Sequence, residues 1–385
     1  MIGKTPRVHQ MTFHEVALES FIDMNHELVQ LSKAIDWSEV ESEFSGYYCS
    51  DNGRPGVPIR KMVGLMLLKN IYDLSDEEVV ARWMENPYMQ YFTGETVFQK
   101  RPPMNPIDMT KFRKRIGAEG AEKIFKLSLM VNAKEITAKE MKMVMIDSTV
   151  QEKIISFPTD AKLYRKVIEK VRTIAEKEEI ELRRTYTREL KALKLKIRSK
   201  GKEHKKYEFG NKSGIAKTRS GLIVSALAFH GNPYDGHTLP DHLDQIERLT
   251  GFVPEEAVSD RGYRGRKIIG QTRISIPTSG GKGQTYYQKT KERKKFRKRA
   301  GIEPVIGHLK SDHRMIRNYL RGTLGDAINT MLAAAAYNLR HWMNKLPHTS
   351  FVCCLRALVR QLEKLIFENQ QHYPRLHPVL TTLAK

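Results

Sequence analysis

The apolar residues in the first third of the chain recur at helical spacing. This pattern predicts helices from about residue 21 to about residue 131. The clearest helix follows a turn at 53–56 that is rich in glycine and proline, and it carries the series Ile59, Met62, Val63, Met66 and Leu67. An all-helical N-terminal part is therefore predicted.

A second helix follows across Asp73 and Leu74. Its first residues, from Ser75 to Glu78, have the Ser-x-x-Glu spacing of a capping box. Two helices joined in this way resemble a helix-turn-helix. Three consecutive acids at the start of the second helix would, however, repel phosphate. We therefore expect this helix to belong to the core rather than to read DNA.

The period of the pattern changes near residue 141, where β-branched and apolar runs begin. Predicted strands cover 141–151, 153–157, 207–215, 222–229, 256–259 and 273–277. A helix is predicted over 241–249, and helices resume from 289 to about 346. This order indicates an α/β protein with a mixed sheet behind a helical front.

A charged helical segment interrupts the strands between residues 159 and 206. Its apolar residues recur at steps of three and four, and the register slips at 176–181, which predicts a helical hairpin. Residues 161–206 hold 17 Lys plus Arg against 7 Asp plus Glu. Two interpretations stay open: a basic arm that covers DNA, or a solvated coiled coil.

The charge of the whole chain favours a polyanionic partner. Its 385 residues include 66 Lys plus Arg and 44 Asp plus Glu, a formal net charge of +22 with a pI near 9.7. Double-stranded DNA is the leading candidate, and a merely basic enzyme is the alternative. The cations Lys111, Arg113, Lys114 and Arg115 cluster on a predicted helix at 107–116, which faces either DNA or solvent.

Other classes of protein are excluded by composition. No apolar run approaches the ~18 residues of a membrane span, and the N-terminus lacks the apolar run of a secretory signal. The three cysteines form no CxxC pair, which argues against a disulfide framework or a zinc module. We expect no membrane partner and a cytoplasmic location, associated with the nucleoid when the protein is bound to DNA.

Two aspartates stand at the ends of predicted strands. Asp147 follows the apolar run Val144-Met145-Ile146, where a charge is costly to bury unless it is paired or bound to a metal. Asp260 follows a second strand and precedes Gly262 and Gly265, which allow a sharp turn. Open α/β sheets build their sites at such strand ends, although each aspartate alone could simply cap a turn.

A third acid lies in a strongly basic segment. Glu303 shares a helical face with Arg299 and Lys310, and residues 282–317 hold 12 Lys plus Arg against 3 acids. A carboxylate in such surroundings can bind a metal while its neighbours hold phosphates; a solvated salt-bridge ladder is the alternative. His237, in the motif PYDGHTLPD beside Asp235, is an accessory candidate that could equally be structural.

Four blocks of sequence resemble one family. They are MIDST around Asp147, YEFGNKSGIAKTRSGLIVSA, SDRGYRG around Asp260, and RKRAGIEPVIGHLK with Glu303. In this order they are similar to bacterial insertion-sequence transposases with a DDE site, closest to the insertion-sequence family five group. The family's Arg-x3-Glu-x6-Lys signature is complete, whereas Phe296 stands where the family has a tyrosine.

The resemblance implies an organisation and an activity. The chain would comprise a helical N-terminal domain over 1–135 that binds DNA, an RNase H-like core over 138–345 with the basic insertion 159–206, and a helical tail over 346–385. Asp147, Asp260 and Glu303 would coordinate two Mg²⁺ ions, with Mn²⁺ as a substitute, and Arg299 and Lys310 would hold phosphates. The enzyme would cut at the inverted repeats of its element.

Joining of the freed 3′ hydroxyl to target DNA would follow, with the enzyme acting as a homo-oligomer on DNA because two ends must be held together. Two alternatives stay open: an RNase H-like nuclease without strand transfer, and a transposon-derived DNA-binding regulator.

Overall fold

The computed structural model describes residue 3 and residues 16–49, 56–153, 160–184, 186–190, 210–277 and 285–346. The helices before the sheet are α1 (Glu27–Ala34), α2 (Trp37–Ser45), α3 (Ile59–Ile71), α4 (Asp76–Glu85), α5 (Pro87–Phe92), α6 (Pro106–Val131) and α7 (Ala138–Met141). The later helices are α8 (Asp160–Lys177), α9 (Asp235–Thr250), α10 (Tyr286–Ala300), α11 (Ile302–Asp312) and α12 (Gly322–Met343). The strands are β1 (Met143–Lys153), β2 (Gly210–Lys217), β3 (Ile223–Phe229), β4 (Glu256–Val258), β5 (Ile268–Ile269), β6 (Thr272–Ser275) and β7 (Arg317–Asn318).

The N-terminal helices pack around α3, which is buried along nearly its whole length. The predicted capping box begins α4: the Ser75 hydroxyl accepts a hydrogen bond from the Glu78 amide at 3.0 Å, and the Ser75 amide donates to the Glu78 carboxylate at 2.7 Å. Val79 and Trp83 of α4 are buried against the same core. The prediction that α4 is a core helix is confirmed.

The strands form one mixed sheet with the order β3-β2-β1-β4-β6-β5, and β7 also pairs with β1. Strand β1 runs antiparallel to β2 and parallel to β4 and β7. The predicted α/β class, with a mixed sheet behind a helical front, is confirmed. Within the part of the chain that the structure describes, no helix has both the length and the apolar character needed to cross a membrane.

Several predicted boundaries are wrong. Strand β1 continues through Glu152 to Lys153, where the sequence predicted a break, because β2 and β7 both pair with its end. Helix α9 starts at Asp235 rather than at 241, with Pro240 inside its second turn. Strand β7, two residues long, was not predicted.

Some predictions reach beyond the described residues. Of the hairpin predicted over 159–206, α8 and the helical residues 187–190 are described, whereas 159, 185 and 191–206 lie outside the described residues. The same holds for the strand residues 154–157 and for the tail 346–385 after Leu346.

Helix α12 joins the N-terminal helices to the sheet. It packs on α6 and α3 on one side and on β3 on the other, and the small residues Ala333, Ala334, Ala335 and Ala336 are fully buried there. Small side chains let helix and strand backbones approach closely. One hydrophobic core therefore runs from the N-terminal helices into the sheet.

The buried Asn338 side chain links α12 to β3 by hydrogen bonds. Its amide nitrogen donates to the Ile223 carbonyl at 2.8 Å, and its oxygen accepts from the Ile223 amide at 2.9 Å. We expect Asn338→Ala to lower the free energy of unfolding by about 3 kcal/mol, because both backbone groups of Ile223 lose their buried partner. Chemical denaturation measures this change.

Asn344, exposed just past the end of the same helix, provides the matched control. Asn344→Ala should change stability by less than about 0.5 kcal/mol. Equal effects of the two substitutions would contradict the role given to Asn338.

Candidate active site

Asp147 lies in a notch of the sheet. Strand β1 pairs with β4 over Met143–Met145 and with β7 only at Glu152 and Lys153, so the described strands leave the edge between these pairings open at Asp147. One oxygen of the Asp147 carboxylate accepts a hydrogen bond from the Ser148 amide at 2.9 Å. The other oxygen, Oδ2, accepts a hydrogen bond from Arg299 Nη2 at 2.6 Å.

Asp260 follows shortly after β4, the strand that runs parallel to β1. Its Oδ1 accepts a hydrogen bond from the Gly262 amide at 2.8 Å and thereby caps the short 3₁₀ turn Arg261–Tyr263. The turn-capping role considered for this residue is therefore present. The second oxygen, Oδ2, points toward Arg299, so capping leaves half of the carboxylate available to the site.

Glu303 enters the site from the first turn of α11. Gly301 separates this helix from α10, and Pro304 is tolerated because the first turn of a helix has no intrahelical partner for its backbone N–H groups. The Glu303 side chain is 69% exposed. It can therefore adjust its position, whereas Asp147 is held by the sheet.

The guanidinium of Arg299 contacts all three acids. Its Nη2 lies 2.6 Å from Asp147 Oδ2 and 3.8 Å from Asp260 Oδ2, and its Nη1 lies 3.7 Å from Glu303 Oε1. The three acids come from the middle of β1, from just after β4 and from the first turn of α11, and they surround one cation on α10. The prediction that Asp147 stands at a strand end is wrong, because pairing with β2 and β7 extends β1 to Lys153. Asp147, Asp260 and Glu303 thus each lie within 4 Å of the Arg299 guanidinium.

Burial and charge act in opposite directions on Asp147. Burial raises the pKa of the Asp147 carboxyl, the Arg299 guanidinium and the Ser148 amide oppose that rise, and the nearby Asp260 and Glu303 add to it. A group under such competing influences is typical of functional sites. It also shows that a positive charge among these acids is favourable.

The acids provide oxygen donors, the ligand type that Mg²⁺ and Mn²⁺ prefer. Among the described residues, however, no three His, Cys, Asp or Glu side chains lie close enough to share one metal ion. Arg299 holds the position between the carboxylates. The donor chemistry therefore fits a divalent cation, provided that the guanidinium moves from this position.

A fourth carboxylate, Asp235, lies next to this group. Its Oδ1 accepts hydrogen bonds from the Ser148 hydroxyl at 2.7 Å and from the Lys212 ammonium at 2.9 Å. Tyr263 is buried nearby, and burial raises the pKa of its hydroxyl. Asp235 thus connects the start of α9 to Ser148, the residue next to Asp147 on β1. The sequence did not predict that α9 starts at Asp235, because Pro240 suggested that no helix extends across it.

Gly262 separates Asp235 from Asp260. A Cβ atom at position 262 would lie 3.0 Å from Asp260 Oδ1 and 3.2 Å from Asp235 Oδ2. We expect Gly262→Ala to lower any DNA cleavage by about tenfold, since it would displace the Asp260 carboxylate by a few tenths of an ångström relative to the other acids. The rate of nicking of a DNA substrate measures this effect.

Gly307 on α11 is the control, because a Cβ atom there meets nothing within 4 Å. Gly307→Ala should leave cleavage unchanged and raise stability by about 0.5 to 1 kcal/mol. Full activity of Gly262→Ala would show that the spacing of the two carboxylates is not critical.

The four cations of the predicted DNA-facing helix have different surroundings. Arg113 is only 5% exposed and binds Asp76 through both of its terminal nitrogens, at 2.9 and 2.5 Å. Lys111 pairs with Asp108, and the Arg115 guanidinium lies 4.6 Å from the Tyr48 ring centroid. Lys114 is exposed. Arg113 is therefore engaged in the fold, while the other three are on the surface.

Of the remaining predicted residues, Lys310 lies on α11 two turns beyond Glu303 and is half-buried.

His237 is exposed and packs edge-on to the Tyr234 ring, with 5.5 Å between centroids. The buried histidine of α9 is His242, whose Nδ1 lies 2.6 Å from the Ser225 hydroxyl and whose pKa burial lowers to about 3. His237 and the three acids share no described contact.

Lys295 was not singled out by the sequence. Its ammonium donates to Glu256 Oε1 at 2.8 Å and to the Ser275 hydroxyl at 3.1 Å, which fixes α10 on β4 and β6. Lys295 lies four residues before Arg299 and therefore on the same helical face, and this spacing could have identified it as a residue that faces the sheet.

The mixed sheet, with one acid on its central strand, a second after the parallel neighbour and a third on a following helix, defines an RNase H-like core of the DDE type. The family "Transposase domain (DUF772)" matches residues 16–115, and the family "Transposase DDE domain" matches residues 179–339. The second match contains Asp260 and Glu303, and Asp147 precedes it. The chain belongs to the insertion-sequence DDE transposases.

The chain is also similar to one curated protein. It is the "Uncharacterized protein ORF8 in nfe locus" of Rhizobium meliloti, which is 42% identical over 183 residues, 47% of this chain and 88% of the relative. No solved structure matches the chain.

Proposed function

We propose that this transposase cuts DNA at the ends of its insertion sequence and transfers the freed 3′ hydroxyl to target DNA, with Asp147, Asp260 and Glu303 as its catalytic residues. The observation that carries the proposal is the convergence of these three carboxylates on the single guanidinium of Arg299. The complete Arg-x3-Glu-x6-Lys signature supports a place in the insertion-sequence family five group.

The three carboxylates would hold Mg²⁺, or Mn²⁺ in its place. A pair of such ions, when bound, activates a water and stabilises the leaving 3′ oxygen in an in-line displacement. Asp147 fixes one side of the site because it belongs to the central strand, whereas the exposed Glu303 can adjust to the substrate. The chain would thus contribute one ligand held by the sheet and one exposed ligand.

Several cations would hold the DNA. Arg299 would move from the carboxylates to a phosphate near the cut, and Lys310 would contact a second phosphate from the same helical face. Lys111, Lys114 and Arg115 would contribute to the N-terminal DNA-binding surface, and Arg113 would support it through Asp76. The enzyme would act as a homo-oligomer, because two element ends must be joined to one target.

One assay separates this function from its alternatives. The full chain is given a pre-cleaved element end, a target plasmid and Mg²⁺, and the products are separated by size. A transposase yields end–plasmid joints, and these require a free 3′ hydroxyl. A nuclease without strand transfer yields nicked DNA but no joints, and a DNA-binding regulator binds the ends without breaking any strand.

The same assay without divalent cations should give no product. Retention of joining in the presence of a chelator would contradict the proposed role of the carboxylates as metal ligands.

A further inference from the structure

Helix α10 has two different faces. Its inner face carries Lys295 and Arg299, which bind the sheet and Asp147. The outer face is exposed and carries the cations Lys289, Arg293, Lys294, Arg297 and Lys298. Within the described part of the chain none of these five makes an ion pair. The outer face therefore presents unneutralised positive charge on the same helix whose inner face contacts the three carboxylates.

Two tyrosines stand at the start of this helix. Tyr286 is 84% exposed and Tyr287 is 76% exposed. Thr285 and Gln288 form a capping box, in which the Thr285 hydroxyl accepts from the Gln288 amide at 3.3 Å and the Gln288 side chain accepts from the Thr285 amide at 3.0 Å. The cap fixes the start of the helix at this point, so both rings belong to its first turn.

A solvated helix accounts for the cations but not for the two aromatic rings. Exposed aromatic surface is unfavourable in water unless a partner covers it. Cations in a row with aromatic side chains at one end match a nucleic-acid strand, whose phosphates attract the cations and whose bases offer flat faces for stacking. Charge complementarity thus selects DNA as the occupant.

We infer that the outer face of α10 lies along the DNA strand that leads to the carboxylates, with Tyr286 and Tyr287 stacked on unpaired bases. This inference rests on the proposed function and extends it. The rise of an α-helix places the tyrosines about 18 to 20 Å from Arg299, a distance of about five or six nucleotides.

Unpaired bases are the specific partner because a paired base buries both of its faces against its neighbours. An aromatic side chain reaches such a face only where the duplex has opened. The phosphates, by contrast, are accessible in either form of DNA. Duplex binding should therefore depend on the cations, and a preference for opened DNA should depend on the tyrosines.

The test compares two fluorescent DNAs by anisotropy, with the full chain and without divalent cations. One is a blunt duplex, and the other is the same duplex with a run of unpaired bases in its centre. We expect the wild-type protein to bind the opened DNA about tenfold more tightly. The double variant Tyr286→Ala and Tyr287→Ala should lose this preference while its affinity for the duplex stays within about threefold.

Further variants separate stacking from other causes. Replacement of both tyrosines by Phe should keep the preference, because the ring is retained. Tyr164→Ala, which removes a 66% exposed ring from the basic helix α8, should not change it. Arg293→Gln with Lys294→Gln should weaken binding to both DNAs equally and reduce the salt dependence by about two phosphates' worth.

Equal wild-type affinities for the two DNAs would overturn the inference, as would an unchanged preference in the double alanine variant. The joining assay is run on the same preparations. Joining without a preference for opened DNA would remove only the role of α10, whereas absence of joining by wild-type protein would contradict the proposed function itself.

Discussion

Replacement of Asp147 by Asn is expected to abolish DNA cleavage, with a fall of at least about a thousandfold, because loss of the charge of this proposed metal ligand would remove several kcal/mol of transition-state stabilisation. Asn keeps the size of the side chain, so binding of the element end should stay within about threefold. Asp260→Asn and Glu303→Gln should behave in the same way. Cleavage and end binding are measured on one labelled substrate.

Asp312→Asn is the matched control, because Asp312 is an exposed acid at the far end of the helix that carries Glu303. This variant should cleave at the wild-type rate. Cleavage by any of the three site variants would remove that residue from the catalytic group. A parallel loss of end binding would instead point to a folding defect, which thermal denaturation detects.

Removal of Arg299 is expected to have opposite effects on metal binding and on catalysis. Arg299→Gln takes the one guanidinium away from the three carboxylates, so Mn²⁺ should bind the DNA-free protein about tenfold more tightly. Cleavage should nevertheless fall, since the proposed phosphate contact is lost. Calorimetric titration with Mn²⁺ measures the first effect independently of activity.

Arg293→Gln carries the same charge change on the exposed face of α10 and should leave Mn²⁺ affinity unaltered. Arg299→Lys keeps the charge and should lie between wild type and Gln. An Mn²⁺ affinity of Arg299→Gln equal to that of the wild type would mean that the guanidinium does not compete with a cation at this site.

The local parts of the fold could be predicted because they depend on neighbours in the chain. Ser75 and Glu78 form their capping box within four residues, and the helical spacing of α3 reports its burial directly. The same holds for the strand that contains Asp147 and for the turn after Asp260. In each case hydrogen bonding or hydrophobic burial over a short segment determines the structure.

The parts that could not be predicted depend on partners far away in the chain. Strand β7 has only two residues and exists because β1 pairs with it. Helix α9 begins before Pro240, and its first residue binds Ser148 and Lys212 from two strands. Arg113 belongs to a basic cluster in sequence, yet Asp76 holds it in the interior.

The sequence by itself determined the class of fold, the positive charge that suits DNA, and the three acids as candidate site residues. These properties follow from periodicity, composition and residue type. The tertiary structure alone decided which cation stands among the acids and which cations remain exposed. Arg299 and Asp147 are 152 residues apart in the chain, and only the packing of α10 on the sheet brings them to 2.6 Å.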